Sequence, residues 1–203
     1  MKQVSVVYLV KDPPIDRLTA QVEYMREIAD EFIFVVDNRT SQHDVDIILG
    51  WPGAKVVEWE WNDDFSAARN AALEHVTRPW TLHLDPDELP SWRMMRHIRT
   101  VTDGFCDSDV MGWLYWTPNW WGGRKGVDQA PMHWHLRLFR SGHGKWYRKV
   151  HELVEIDGEP EGITRHNAKV LQAPSNAYLI HSKPEDLLDK DDSYYKSIEE
   201  ANG

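Results

Sequence analysis

Apolar residues run from Val4 to Val10 with only Ser5 among them, and unbroken from Phe32 to Val36, the pattern of strands buried on both faces of a sheet. Between them Ile15, Leu18, Val22, Met25 and Ile28 fall at helical spacing behind Asp12-Pro-Pro14, where the prolines suit a helix start. A short helical piece through Val45 to Leu49 is broken by Gly50-Trp-Pro-Gly53, and Lys55 to Trp59 reads as a third strand. From Phe65 the spacing of Ala68, Ala72, Leu73 and Val76 predicts another helix, with Asp63, Asp64 or Ser66 available to cap it. Trp80 to Leu84 is the fourth strand. Strands and helices that alternate over about 85 residues predict an α/β layout with a mainly parallel sheet, and ligands of such sheets bind at the carboxyl ends of the strands.

After a predicted helix from Ser91 to Val101 the texture changes. Aromatic strands and Gly-rich turns follow at Val110 to Trp116, Trp120-Trp-Gly-Gly123, Trp134 to Phe139 and Gly144 to Arg148, which predict a mixed sheet forming the second wall of a cleft. The segment 183–203 is charged and poor in large aliphatics, and reads as an exposed helix or a frayed tail. A chain of 203 residues suits one domain, with residues 1–90 as one half and 91–182 as the other.

Composition narrows the partners. A formal net charge of −10 argues against a nucleic-acid surface, which needs clustered Lys and Arg. No apolar run has membrane-spanning length, and Met1 to Val10 lacks the basic start and cleavage site of a signal peptide, so a soluble cytoplasmic protein is expected. The single cysteine, Cys106, excludes an intramolecular disulfide and reads as a small buried hydrophobe. Eleven tryptophans, several of them in Trp113-Leu-Tyr-Trp-Thr-Pro-Asn-Trp-Trp121, suit packing foremost, with one or two suited to a sugar ring or nucleobase.

The chemistry concentrates in Trp80-Thr-Leu-His-Leu-Asp-Pro-Asp-Glu88, where a strand ends in three carboxylates. Asp85 and Asp87 around a stiffening proline suit a hard divalent cation. The same turn could instead cap the helix that follows it. Asp37 also ends a strand, so two acidic strand ends share one rim. Arg69 and Asn70 fall on the first turns of the helix leading into the acidic strand, where a guanidinium can meet a diphosphate or base, or pair with Asp63 or Asp64 on a solvated face. His133-Trp-His135 places two imidazoles on one side of a strand, without a third zinc-type ligand nearby. Arg137 and Arg140 belong to opposite faces of their strand, so at most one of them faces the cleft.

The ordered set of strand-Asp37, Asp64-Phe-Ser-Ala-Ala-Arg-Asn70, Trp80-Thr-Leu-His-Leu-Asp-Pro-Asp-Glu88, Arg137-Leu-Phe-Arg140 and Val150-His-Glu152 resembles family 2 glycosyltransferases of the GT-A fold, closest to bacterial and phage members. The likeness spans roughly residues 3 to 182. It implies a Rossmann-like mixed sheet flanked by helices with an aromatic-rich acceptor-side half, a nucleotide-sugar donor of UDP or GDP type, and Mn²⁺ or Mg²⁺ on the DXD motif. The implied metal ligands are Asp85, Asp87 and the C-terminal His181. Asp37 and Arg69 would contact the donor, His151 would hold the acceptor or a phosphate, and Glu88 would orient the metal ligands. Glu152 would be the acceptor-activating base, or else a structural hydrogen-bond partner. The family's usual Gly-Ser-Thr-Asp after the second strand is replaced here by Asn38-Arg-Thr-Ser-Gln42, and Pro86 stands where a small residue is usual.

Two rivals make different predictions. A nucleotidyltransferase that forms nucleotide sugars would begin with a Gly-rich loop, where this chain has Lys11-Asp-Pro-Pro14. A non-catalytic carbohydrate-binding module would use the tryptophans without metal.

Overall fold

The computed structural model describes residues 2–105, 109–117, 119–121, 133–160, 170–183, 197, 198 and 200. Cys106, most of the segment after Lys183, and the side chains of Trp120, Trp121, His133 and His181 lie outside the description.

The first half follows its hydrophobic pattern. Strand β1 (Val4–Val10), helix α1 (Ile15–Met25), β2 (Ala29–Asp37), α2 (Gln42–Leu49), β3 (Ala54–Trp59), α3 (Phe65–Leu73) and β4 (Trp80–Leu84) alternate in order. A short strand β5 (Glu88–Pro90) then separates the acidic turn from α4 (Trp92–Thr100). The cap of α4 is Ser91, whose side chain accepts from the Met94 N–H at 3.2 Å, so the acidic turn does not cap this helix. The second half supplies β6 (Gly112–Thr117), β7 (Asn119–Trp121), β8 (His133–Arg140), β9 (Gly144–Tyr147), β10 (Leu153–Ile156), β11 (Glu159–Pro160), β12 (Val170–Gln172) and β13 (Leu179–Lys183).

The seven-stranded central sheet has the order β12-β6-β8-β4-β1-β2-β3. Strands β3, β2, β1 and β4 are mutually parallel, while β8 runs antiparallel to both β4 and β6. Two small sheets, β11-β10-β9 and β5-β13-β7, flank it. In β1 the residues Val4, Val6, Tyr8 and Val10 face the larger core, together with Leu18, Val22 and Met25 of α1, Ile48 of α2, and Met94, Met95 and Ile98 of α4. Val7 faces the other side, with Ile33 and Val35 of β2, and meets Ala68 and Ala72 of α3. Those two alanines let α3 lie close to the sheet. Gly53, with φ of +81°, closes the predicted break before β3; a Cβ there would stand 2.2 Å from the Asp30 carbonyl oxygen.

Candidate active site

Two strand ends and one helix converge at the carboxyl rim. The Asp64 carboxylate accepts from the Ala67 N–H at 2.8 Å, an N-cap worth about 1 kcal/mol to α3. Asp63 accepts from the Trp61 indole N–H at 2.9 Å. Neither aspartate receives Arg69. Arg69 is turned inward and is only 6% exposed.

Asn70 fixes what Arg69 meets. Its side-chain amide donates to the Trp146 carbonyl at 2.9 Å and its amide oxygen accepts from the Trp146 N–H at 2.8 Å, which docks α3 against β9. The Phe65 N–H donates to the Lys149 carbonyl at 2.9 Å, and the Ser66 hydroxyl donates to that of Arg148. The loop held this way passes through positive φ at Arg148 (71°) and His151 (48°) before delivering Glu152. His151 is exposed on this loop.

Arg69 joins the two halves. Its Nε donates to Glu152 Oε1 at 2.7 Å and its Nη2 to Asp85 Oδ1 at 3.1 Å, while its Nη1 donates to the ring of His83. Trp146 lies against the guanidinium, with Cζ 5.0 Å from the ring centroid. Asp85 is the more open partner, with 28% of its side chain exposed against 13% for Glu152.

The acidic turn is braced from below by α1. Gln21 donates to the Asp85 carbonyl at 3.1 Å and also to that of Glu88, and Arg17 donates to the Asp87 carbonyl at 2.9 Å. Glu88 is buried; its Oε2 accepts from the Asp85 N–H at 2.9 Å and its Oε1 from Arg137 Nη2 at 2.5 Å. Arg137 also lies 4.0 Å from Asp85 Oδ2. Arg140, on the opposite face of β8, instead stacks on Trp80 and donates to the Val110 carbonyl at 3.1 Å. Strand β13 brings the backbone of His181 opposite Glu88.

The charges set protonation. Burial would raise the Asp85 carboxyl, but Arg69, His83 and Arg137 outweigh it and hold it well below the usual carboxylate range. Burial, followed by the charge of Arg69, pushes His83 down to about 3, so its ring is neutral and can accept from the guanidinium. Burial acts to lower the Arg69 pKa, yet Asp85 and Glu152 raise it overall. Asp37, 3% exposed, is lowered chiefly by hydrogen bonds from Arg39, which takes both carboxylate oxygens at 2.8 and 2.5 Å.

The donor set fits a hard divalent cation: Asp85 is held ionised and Asp87 follows it across one proline. Among the described residues no three His, Cys, Asp or Glu side chains form a metal-holding group. Phosphate oxygens and water are common further ligands of such a cation. Of the tryptophan cluster, Trp113 lies half-buried against the larger core, while the side chains of Trp120 and Trp121 lie outside the description; Trp146, beyond that cluster, lies against Arg69.

Two participants escaped sequence reasoning. His83 stands two residues before Asp85, hence on the same side of β4, and that period of two was the available signal. Arg39 lay in the segment noted only for its departure from the family pattern.

Comparisons with known proteins bear on the family and the fold. The profile described as Glycosyl transferase family 2 matches residues 13–152. A TPR repeat-containing protein of Synechococcus elongatus is 37% identical over 99 residues, 47% of this chain and 24% of that protein. The SPbeta prophage-derived glycosyltransferase SunS of Bacillus subtilis is 34% identical over 70 residues, 33% of this chain and 17% of that protein. The chain thus spans about a quarter or less of the length of these curated relatives. Among solved structures, the mannosyltransferase PcManGT of Pyrobaculum calidifontis, in complex with GDP-Man and Mn²⁺, shares the fold with a TM-score of 0.59. That match covers 89% of this chain and 56% of the other at 14% identity.

Proposed function

The chain belongs to glycosyl transferase family 2, and from that premise we propose that it moves a sugar from a nucleoside diphosphate sugar to an acceptor hydroxyl at the rim that joins Asp85 to Glu152. The observation that carries the reading is Arg69, one buried guanidinium bonded at once to the carboxylate of the acidic turn and to that of the Val-His-Glu loop.

In this reading the donor diphosphate lies over the Asp85-Pro-Asp87 turn, with Asp37 at the base or ribose. Asp85 and Asp87 would hold the metal, with His181 the third ligand by its place in the chain. Mn²⁺ or Mg²⁺ bound there would supply positive charge to the departing diphosphate. Arg69 supplies a second, fixed positive charge and offers N–H donors to phosphate oxygens. Its position needs no reorganisation, because Asn70, Trp146 and the ring of His83 hold it already. Glu88 keeps the turn in shape through the Asp85 N–H.

Glu152 takes the acceptor's proton as the acceptor oxygen bonds the anomeric carbon and the bond from that carbon to the diphosphate oxygen breaks. Its ion pair with Arg69 orients the carboxylate beside the donor. His151, exposed next to it, would hold the acceptor or a phosphate. A GDP-mannose complex of a protein with this fold, with Mn²⁺ bound, supports the donor class and the metal.

The test is a donor screen. GDP- and UDP-sugars are incubated with the chain with and without Mn²⁺, donor hydrolysis is followed, and Asp87→Ala is run beside it. Metal-dependent hydrolysis that falls with the substitution is expected. Absence of donor binding and turnover, or turnover unchanged by the substitution, overturns the reading.

A further inference from the structure

Helix α4 carries a second concentration of positive charge on its solvent side. Arg93, Arg96 and Arg99 are all exposed on it, its first turn has no acid, and the chain as a whole has a net charge of −10. Of the three arginines, only Arg99 has a carboxylate partner among the described residues, Asp103 at 3.8 Å. Arg93 and Arg96 instead share one indole. Their Cζ atoms lie 4.9 and 5.5 Å from the ring of Trp92, which is 55% exposed. Together with His97 and Thr100 these three residues line a concavity of about 280 Å³.

This arrangement does little for the fold. Cations three residues apart repel along a helix, and an exposed indole buries little apolar surface. It does, however, prepare a site. Stacking on Trp92 restrains both guanidinium groups, so part of the entropy of ordering two long side chains is lost before a ligand arrives. Two forks around one hollow match a tetrahedral oxyanion, which each can meet with paired N–H donors. We propose that Trp92, Arg93 and Arg96 form a binding site for the phosphoryl group of a small phosphate ester in solution, separate from the Asp85 turn.

A lipid surface fits less well. The apolar residues of α4, Met94, Met95 and Ile98, are committed to the core, which leaves Trp92 as the helix's only large apolar side chain for a bilayer. The proposal stands whether or not the donor reading above is correct.

Heteronuclear NMR of the arginine Nε–H groups tests it. The chain is titrated with inorganic phosphate and with a hexose phosphate against sodium chloride at equal ionic strength, and vesicles containing phosphatidylglycerol form a parallel arm. Saturable shifts are expected in the two signals that disappear in Arg93→Gln and Arg96→Gln, and the double variant should bind phosphate roughly tenfold or more weakly. Circular dichroism of the double variant should match the parent, and Trp92→Phe should retain binding that Trp92→Ala weakens. Asp87→Ala should leave the shifts in place. Equal shifts with chloride, non-saturating shifts, or shifts abolished by Asp87→Ala overturn the site. Vesicle binding that needs the two arginines while phosphate produces no saturable shift also overturns it, and makes this a membrane face.

Discussion

At the amino ends of the parallel strands, Glu31 of β2 is closed on every side, whereas at their carboxyl ends Arg69 is divided between two carboxylates. Glu31 accepts from Lys55 and the Thr77 hydroxyl at 2.7 Å each, from the Thr77 N–H at 2.9 Å and from the Ser5 hydroxyl, with only 6% of its side chain exposed. Those partners come from β1, β3 and the turn before β4, so one carboxylate ties three neighbouring chain segments together. Although burial pulls the other way, these hydrogen bonds lower Glu31 to about 2. The other end is arranged for exchange. Asp85 keeps a 28% exposed side chain, and its guanidinium partner can be claimed by an arriving anion. A fully paired charge serves the fold, while a shared one remains open to chemistry.

The sharpest break between the two ends comes from paired substitutions. Glu152→Gln should lower sugar transfer by about 10²–10⁴-fold, the loss associated with a general base, and this loss should exceed what its effect on the urea midpoint explains. Glu31→Gln should do the opposite, destabilising by about 1–3 kcal/mol through partners left unmatched, with donor affinity unchanged by calorimetry. If Glu31→Gln also abolished donor binding, the division of labour would fail.

Acid separates the ends by pH. His83 is depressed to about 3 from an ordinary value of 6.5. Between these values the unfolded chain binds a proton that the folded chain refuses, so stability falls as pH falls through that window. Glu31 and Asp85 have the same sign, but their windows open only below the usual carboxylate values. Urea midpoints in chelator should therefore decline in two limbs, the upper one worth on the order of a few kcal/mol. His83→Gln should flatten the upper limb and Glu31→Gln should reduce the lower one. A single limb below about pH 4.5 would show that His83 is not buried neutral.

The smallest effect is expected at Arg39. Its side chain is 55% exposed, so Arg39→Ala should change stability by less than about 1 kcal/mol. The same change should raise the Asp37 pKa, measurable by carboxyl NMR, because the hydrogen bonds from Arg39 are the largest cause holding it down.

Periodicity made most of the scaffold legible. Phe32 to Val36 and all of Val4 to Val10 except the half-buried Leu9 are buried as their apolar runs predict, and the spacing of Ala68 and Ala72 marks the face of α3 that meets the sheet. Side-chain partners were less legible, because they depend on which segments the fold brings together. Arg69 meets Asp85 and Glu152, 16 and 83 residues away, while its nearby acids serve as a cap and an indole acceptor. His83 sits in an apolar strand, and only the position of Arg69 distinguishes it from a packing residue. Glu31 gave no warning in the sequence, since its partners Ser5, Lys55 and Thr77 are ordinary residues until the parallel register aligns them.

The Asn70 clamp has a consequence for how this site could be rebuilt. Both of its bonds go to main-chain atoms of Trp146, so the joint recognises backbone shape and is indifferent to most of the hairpin's side chains. The β9–β10 segment therefore behaves as an interchangeable part. A hairpin of different exposed sequence, grafted with its register and indole kept at position 146, Val154 and Ile156 kept in the core and a carboxylate at 152, would seat against α3 in the same place.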